Sequence, residues 1–350
     1  MQHPNTPVLP QPPLVMQFHV TGRCNLRCRH CYRTEGDVEH LSLEDVIATL
    51  EQLLALRRRY NALHGLDAPA HVNLTGGEPF MRRDMGDILR WLGEHRSEVR
   101  YAVLSNGSFI DDDTLALLKA TGASFVQLSI DGTRRTHDAL RAPGDYARVF
   151  RVARRLEKAG MPVYVSFTAN RRNYRQLPAV AWRCRLAGVS HLWSDRLVPI
   201  GHGEELESLW IGPDDLPRYN RSLHRAQGCS LLRRMFPHTE VSAGRALQFL
   251  HCGSSAHACS AASSLITVDE MGRIMPCRRL PILCGDVRHT TLEEVYFGHA
   301  TFLDLRRPEA PPECVGCTHA FLCHGGARCQ SHARLGDPHH ADPACPLARR

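Results

Sequence analysis

The chain has 350 residues, 43% of them hydrophobic and 23% charged, which is enough for one large domain and a smaller appended one. The sequence shows neither an apolar run of membrane-spanning length nor a signal-peptide pattern, so we expect a cytoplasmic protein with no membrane partner. Its net charge of +7 comes mostly from arginines within helical patterns, which favours solvated helix faces over nucleic-acid binding.

From residue 16 to about residue 199, short apolar runs alternate with amphipathic stretches. The predicted strands are residues 16–21, 71–75, 101–105, 125–130, 163–168 and 191–199, and the predicted helices are residues 41–60, 84–94, 112–120, 146–159 and 177–187. This alternation is typical of a parallel sheet with right-handed helical crossovers. Six units are too few for a closed eight-stranded barrel, so the predicted fold is α/β, a partial (β/α)6 TIM-like barrel.

The rest of the chain has a different composition. We expect an extended lead-in over residues 1–15, the barrel over 16–210, a helical bridge over 211–250 and a small cysteine-rich domain over 251–350. In this last region Cys, His, Gly and Pro accumulate, and such a segment buries little core by itself, so metal ligation is the candidate for holding it together. Its predicted elements are a β-hairpin near residues 269–277 and short helices.

Fourteen cysteines in a reducing compartment indicate metal binding or catalysis rather than disulfides. Cys24, Cys28 and Cys31 directly follow the first predicted strand. Three thiolates can hold three irons of a 4Fe–4S cluster and leave the fourth iron open to a substrate or cofactor. The alternative is a zinc site completed by His30 or His19.

The cysteine loop, with Tyr32 after it, resembles the cluster loop of the radical S-adenosylmethionine (SAM) enzymes, and "TGGEP" at 75–79 resembles their glycine-rich SAM motif. "SNG" (105–107), "SIDG" (129–132) and "HDALRAPGDY" (137–146) are weaker matches at later strand ends. The residues that the resemblance assigns to SAM are Gly76, Gly77, Glu78, Pro79, Ser105, Asn106, Ser129, Asp131, Arg141 and Thr168.

The resemblance implies a definite chemistry. SAM would bind the open iron through its amino and carboxylate groups, and one-electron reduction would release a 5′-deoxyadenosyl radical that takes a hydrogen atom from a substrate. The electron would come from an external reductant such as flavodoxin or ferredoxin.

The second cysteine field resembles the SPASM extension, which holds one or two auxiliary 4Fe–4S clusters in some radical SAM enzymes. By position, one cluster would be held by Cys314, Cys317, Cys323 and Cys345, and the other by Cys252, Cys259, Cys277 and Cys329. Two features depart from the pattern. Ala327 stands where a cysteine is expected, with Cys329 two residues later, and Arg278 replaces an acidic proton acceptor. The alternative for this field is structural zinc, with His319 or His324 as an added ligand.

These features lead to three functional hypotheses. The first is modification of a ribosomally synthesised peptide or protein side chain by crosslinking, epimerisation or another C–H reaction, with a separate leader-recognition protein if the substrate carries a leader. The second is chemistry on a tetrapyrrole or another small cofactor precursor, because residues 325–346 also resemble the tail of radical SAM enzymes that act on porphyrin side chains. The third is a non-catalytic zinc protein.

Overall fold

The structure, a computed structural model, describes residues 12–34, 40–236, 238–252, 256–307 and 309–349. The predicted lead-in therefore lies outside the described residues, except for residues 12–15. The strands are β1 Val15–Thr21, β2 Ala70–Gly76, β3 Val99–Leu104, β4 Val126–Ser129, β5 Val163–Ala169, β6 His191–Arg196, β7 Glu240–Val241, β8 Leu265–Val268, β9 Arg273–Met275 and β10 Gly285–Asp286.

The helices of the described residues alternate with β1–β6 and then cluster in the C-terminal part. They are α1 Leu43–His64, α2 Met85–Glu94, α3 Asp112–Ala120, α4 Arg134–Leu140, α5 Asp145–Lys158, α6 Leu177–Ala187, α7 Leu216–Gln227, α8 Ser230–Met235, α9 Phe249–Cys252, α10 Leu292–Gly298, α11 Ala300–Leu305, α12 Ala320–Cys323 and α13 Arg328–Leu335. Helix α1 begins with a capping box in which Ser42 and Asp45 satisfy each other's backbone amides, and it ends at Gly65 in the left-handed conformation.

Strands β1 to β6 lie side by side in chain order and pair in parallel. Their apolar side chains are buried on both faces; Phe18, Leu74 and Val165, for example, are fully or almost fully inaccessible to solvent. Short and almost entirely apolar segments are expected in parallel strands that helices cover on both faces. The predicted α/β partial barrel is thus confirmed, and the carboxyl ends of its strands meet at one mouth.

The sheet continues beyond the six predicted strands on both sides. Strand β7 pairs in parallel with β6, and β8 pairs in parallel with β1 in the register Phe18 to Val268. The predicted hairpin is present as β8 and β9, which pair antiparallel around a turn at Gly272. The sequence did not predict that this hairpin would join the barrel sheet. It does so because an open barrel leaves one side of β1 without hydrogen-bond partners.

One continuous hydrophobic core runs through the barrel and the cysteine-rich region, from Leu14 to Cys329. Side chains of α10 and α11, such as Tyr296 and Phe302, are as deeply buried as those of the barrel. In the described part of the chain, no helix combines the length and the apolar character that crossing a bilayer requires. The C-terminal region is therefore packed into the same core that positions the mouth of the barrel.

Candidate active site at the barrel mouth

The loop that carries Cys24, Cys28 and Cys31 leaves the end of β1 and folds back on itself. The Arg27 guanidinium donates to the Cys24 carbonyl at 2.7 Å, and the Cys31 amide donates to the Cys28 carbonyl at 3.1 Å. Asn25 connects the loop to the end of β3, since its Oδ1 accepts from Asn106 Nδ2 at 2.8 Å. The three cysteines are thus held at the mouth by local turns and by hydrogen bonds to later segments of the chain.

The three thiols affect one another electrostatically. Burial raises the pKa of Cys24, and the charges of Glu78 and Cys31 raise it further. Burial also raises the pKa of Cys28 to about 11, against the opposing effect of the Arg141 guanidinium. A cationic iron group between these thiols would offset the cost of their thiolate forms. Three neighbouring thiols around one cavity therefore fit a 4Fe–4S cluster.

The glycine-rich loop after β2 packs directly against the start of the cysteine loop. The Gly77 amide donates to the Thr21 carbonyl and the Glu78 amide to the Arg23 carbonyl, both at 2.8 Å. A Cβ on Gly76, where φ is 119°, would lie 2.4 Å from the Thr21 carbonyl oxygen, and one on Gly77 would lie 2.0 Å from that of Arg23. Only glycine permits this approach, which places the two predicted motifs against each other.

The side chain of Glu78 is completely buried and faces away from the cavity. Its Oε1 accepts from Ser105 Oγ and its Oε2 from the Asn106 amide, both at 2.7 Å. Burial raises the pKa of this carboxyl to about 7. Glu78 therefore ties the glycine-rich loop to the end of β3, and Pro79 opens a short 3-10 turn behind it.

Asp131, at the end of β4, is the centre of a buried polar cluster. It accepts from Arg141 Nε at 2.6 Å and from the Thr168 amide at 2.8 Å, and His30 Nε2 lies 3.1 Å away. Burial alone would raise the pKa of Asp131, but Arg141 and His30 hold it well below its ordinary range. The carboxylate thus positions Arg141, whose Nη1 lies 3.9 Å from Cys28 Sγ.

These residues surround a cavity of about 300 Å³. The predicted site residues that line it are Cys24, Cys28, Cys31, Gly76, Gly77, Ser105, Asn106, Ser129, Arg141 and Thr168. Glu78, Pro79 and Asp131 are not part of the lining and contact the cavity residues from behind. The structure thus brings together segments that are more than a hundred residues apart.

The sequence analysis missed the positive charge of this cavity. Six arginines and one aspartate line it, namely Arg27, Arg33, Arg141, Arg196, Arg278, Arg279 and Asp195. Asp195 and Arg196 end β6, as Ser129 ends β4, so their position at a strand end was the signal that could have identified them. Arg278 and Arg279 come from the segment after β9, which reaches the mouth because β8 pairs with β1.

A second cavity of about 620 Å³ adjoins the first, and Tyr32, Arg33, Thr34 and Arg278 line both. Its lining carries both signs of charge, including Glu204, Glu207, Asp269, Glu270 and Arg273. Arg33 pairs with Glu270, which also lies 3.4 Å from His19 Nδ1. The cysteine loop therefore separates a strongly basic cavity from a mixed one.

In the C-terminal region, four cysteines are close enough to influence one another. Burial raises the pKa of Cys314 to about 11, and the charges of Cys345 and Cys317 contribute to the increase. Burial raises the pKa of Cys323 to about 12, again with contributions from Cys345, Cys314 and Cys317. The structure thus brings together Cys314, Cys317, Cys323 and Cys345, the four cysteines that the sequence resemblance assigns to one cluster.

A second group contains Cys259, Cys277 and Cys329. Burial raises the pKa of Cys329, and the charges of Cys259 and Cys277 raise it further. The unusual spacing therefore does not keep Cys329 away from this group. Cys252, the fourth predicted member, instead donates its Sγ–H to the Asn220 carbonyl at 3.3 Å, and no cysteine is among the groups that shift its pKa.

The histidines considered as zinc ligands near the first loop contact carboxylates. His30 faces Asp131 and His19 faces Glu270. Within the ranges that the structure describes, no three His, Cys, Asp or Glu side chains converge closely enough to hold a single metal ion.

Comparison with known proteins identifies a family domain and a shared fold. The radical SAM superfamily matches residues 18–170. The AdoMet-dependent heme synthase of Methanosarcina barkeri is 25% identical over 95% of this chain and 96% of its own length. The pre-heme d1 synthase of Dinoroseobacter shibae is 28% identical over 99% and 90%, and the mycofactocin maturase of Mycobacterium tuberculosis is 26% identical over 90% and 78%.

Solved structures show the same fold. Streptococcus suis SuiB bound to S-adenosylmethionine has a TM-score of 0.72 at 15% identity and covers 95% of this chain and 77% of its own. The protein anSMEcpe with bound AdoMet and Kp18Cys peptide has a TM-score of 0.74 at 18% identity, with coverages of 96% and 95%. Given the matched segment, the shared fold and the three cysteines beside the glycine-rich loop, residues 18–170 are a radical SAM domain, and a cysteine-rich C-terminal region follows it.

Proposed function

We propose that this enzyme takes a hydrogen atom from a tetrapyrrole that carries carboxylate side chains. The observation that carries this proposal is the set of six arginines that line the cavity. Four of them pair with carboxylates, and Arg27 and Arg278 have no carboxylate partner among the described residues. Guanidinium groups bind carboxylates through paired hydrogen bonds, so the two arginines without a carboxylate partner favour a substrate that carries carboxylates.

In this proposal Cys24, Cys28 and Cys31 hold the SAM-binding 4Fe–4S cluster. When bound, the cluster supplies the electron for reductive cleavage of SAM. Gly76 and Gly77 line the cavity and would present their backbone to the SAM amino group, and Arg141, fixed by Asp131, provides the cation for the SAM carboxylate. Ser105, Asn106, Ser129 and Thr168 provide polar atoms on the opposite wall.

Two of the relatives described above support the tetrapyrrole, since their names state that they make heme or pre-heme d1 and they match 95% and 99% of this chain. The tetrapyrrole, which was the second hypothesis of the sequence analysis, therefore becomes the first candidate substrate, and the peptide becomes the second.

We further propose that Cys314, Cys317, Cys323 and Cys345 hold one auxiliary 4Fe–4S cluster. The group of Cys259, Cys277 and Cys329 would hold a second one through three thiolates. Arg279 donates its amide to Cys277 Sγ at 3.5 Å and its guanidinium to Asp195 at 2.6 Å, so it joins this group to the basic cavity. Both clusters would exchange electrons with an external one-electron reductant.

The test is an anaerobic reaction of the reconstituted enzyme with SAM, dithionite and iron porphyrins that bear propionate side chains. We expect Fe-coproporphyrin III or a related compound to increase 5′-deoxyadenosine formation and to change in mass. The variant with Cys24, Cys28 and Cys31 all replaced by alanine serves as the control and should form none. Failure of the whole panel of tetrapyrroles to stimulate SAM cleavage would contradict the proposal.

A peptide is the second candidate substrate, because the mycofactocin maturase is 26% identical to this chain and the second cavity is larger and mixed in charge. A separate leader-recognition protein would then present the peptide to the enzyme. The test is incubation with short peptides encoded beside the gene, with mass spectrometry as the readout. A peptide that changes in mass only when SAM is present would favour this candidate over the tetrapyrrole.

A further inference from the structure

Arg278 differs from the other arginines of the basic cavity because its guanidinium has neither a carboxylate partner nor a hydrogen bond to a carbonyl among the described residues. Four of them are paired with carboxylates, as Arg33 is with Glu270, Arg141 with Asp131, Arg196 with Asp342 and Arg279 with Asp195. The exposed Arg27 donates to backbone carbonyls.

For Arg278, no carboxylate of the described residues lies within ion-pairing distance, and its Nε is buried without a hydrogen-bond partner. A buried donor without a partner costs free energy, so this guanidinium is the one prepared to receive a ligand.

The position of Arg278 defines where that ligand would bind. Arg278 lines both cavities, so it lies where the two adjoin. The guanidinium carbon lies 5.6 Å from the centre of the Tyr32 ring, a cation–π contact, and the Arg278 amide donates to Gln17 Oε1 at 3.4 Å. Tyr32 directly follows Cys31, so a group held by Arg278 would lie beside the cysteine loop.

The surroundings of Arg278 favour a negatively charged ligand. Arg279 and Arg245 are close to it, and Arg245 stacks on Trp193 with its guanidinium carbon 4.3 Å from the ring centre. Burial lowers the pKa of Arg245, and the charges of Arg279 and Arg278 lower it further. Asp195 offsets part of this positive charge through its pair with Arg279. An incoming carboxylate would neutralise the remainder.

From these observations we infer that Arg278 binds a carboxylate of the substrate where the two cavities adjoin and thereby selects propionate-bearing tetrapyrroles. The inference rests on the proposed function and adds to it the residue that recognises the substrate. Arg279 and Arg245, held by Asp195 and Trp193, add positive charge near Arg278 and so favour a negatively charged ligand there.

The experiment compares binding of Fe-coproporphyrin III and of its methyl ester to the reconstituted enzyme, followed by the Soret band. Arg278→Met keeps an unbranched, apolar side chain and removes the charge, and Arg278→Lys restores the charge without the paired donors. Arg58→Met removes the same charge from an ion pair at the surface, where the Arg58 side chain is 65% exposed, and serves as the control.

We expect Arg278→Met to weaken binding of the free acid by about 10- to 100-fold, since that is the range for losing a charged hydrogen bond. Arg278→Met should bind the methyl ester as tightly as the wild type does. Arg278→Lys should recover part of the affinity for the free acid, and Arg58→Met should bind the free acid like the wild type. Iron content and SAM affinity should be the same in all variants, which separates this role from a structural one.

The two proposals fail in different ways. If Arg278→Met binds the free acid as tightly as the wild type, or if it weakens SAM instead, the inference is wrong and the proposed function stands. If no tetrapyrrole binds the wild type, both fail. In that case an acidic peptide that binds the wild type and not Arg278→Met would assign the same arginine to the other substrate class.

Discussion

Among single residues, Glu78 is the one for which the structure makes a clear pH prediction. Burial raises its pKa from an ordinary value of 4.5 to about 7. Between these two values the unfolded chain has released a proton that the folded chain still holds, so stability falls as the pH rises from about 5 to about 7. The loss amounts to about 3 kcal/mol.

The Glu78→Gln variant cannot ionise at this position and should not show that loss. As the pH rises from about 5 to about 7, we expect the unfolding free energy of the wild type to fall relative to that of Glu78→Gln. Denaturant unfolding at several pH values measures it, and the exposed Glu51→Gln is the control. Parallel pH profiles for Glu78→Gln and the wild type would contradict the prediction.

Gly77 supports a second prediction at the residue scale. In Gly77→Ala the new methyl group would overlap the Arg23 carbonyl, 2.0 Å away, so one of the two loops must move. We expect a loss of at least about 3 kcal/mol of stability and a clear loss of SAM affinity. Thermal unfolding and SAM titration measure the two effects.

The control for this substitution is Gly298→Ala. Gly298 ends α10, and a methyl group added there would have no other atom within 4 Å, so its replacement should change neither quantity. Equal SAM affinity in Gly77→Ala and Gly298→Ala would show that the close packing of the two loops is not required for binding.

Among the secondary-structure elements, the strands and their ends were predictable and the contacts between them were not. Runs such as 163–168 mark strands because they are apolar and end in turn residues. The pairing of Asp131 with Arg141, and the turn of Glu78 away from the cavity, depend on how neighbouring strand ends meet. A local sequence pattern contains no information about the distance between two strand ends. The same reason explains why the pairing of β8 with β1 was missed.

The elements of the cysteine-rich region lead to a prediction about iron content. Cys329 opens α13 beside Cys259 and Cys277, whereas Cys252 ends α9 and contacts the Asn220 carbonyl. We expect Cys329→Ala to lower the iron content by about four per chain, the content of one cluster. Cys252→Ala should leave it unchanged. Iron and acid-labile sulfide assays after anaerobic reconstitution measure the difference.

Cys184 offers the matched control, since it is a fully buried cysteine in α6 away from both groups. Its replacement by alanine should not change the iron content. If Cys252→Ala loses as much iron as Cys329→Ala, then Cys252 is a ligand. In that case α9 must move when a cluster binds to Cys259, Cys277 and Cys329.

At the scale of the whole molecule, the buried ion pair of Arg196 and Asp342 joins the barrel to the C-terminal region. Arg196 ends β6, Asp342 precedes the last cysteine, and their side chains are 2% and 0% exposed. Arg196 Nη1 donates to Asp342 Oδ1 at 3.0 Å, and Oδ1 also accepts from the Ala344 amide at 3.0 Å. This pair joins the barrel mouth to the chain segment that carries Cys345.

Asp342→Asn should destabilise the protein by about 3–5 kcal/mol, because it leaves a buried guanidinium without its counter-ion. Thermal unfolding measures this loss. The exposed pair of Arg90 and Asp87 provides the comparison, since Asp87→Asn should cost about 0.5 kcal/mol or less. Similar melting temperatures for the two variants would show that the buried pair does not hold the two parts of the molecule together.

The pairing of β8 with β1 also has a consequence for protein engineering. Because residues 265–268 cover one side of β1, the C-terminal region cannot be exchanged between enzymes as an independent cassette. A chain cut after residue 250 would present the open backbone of β1 to solvent and would invite association through that edge. A successful graft from another enzyme therefore has to bring its own strand to cover β1, in the register of Phe18 with Val268.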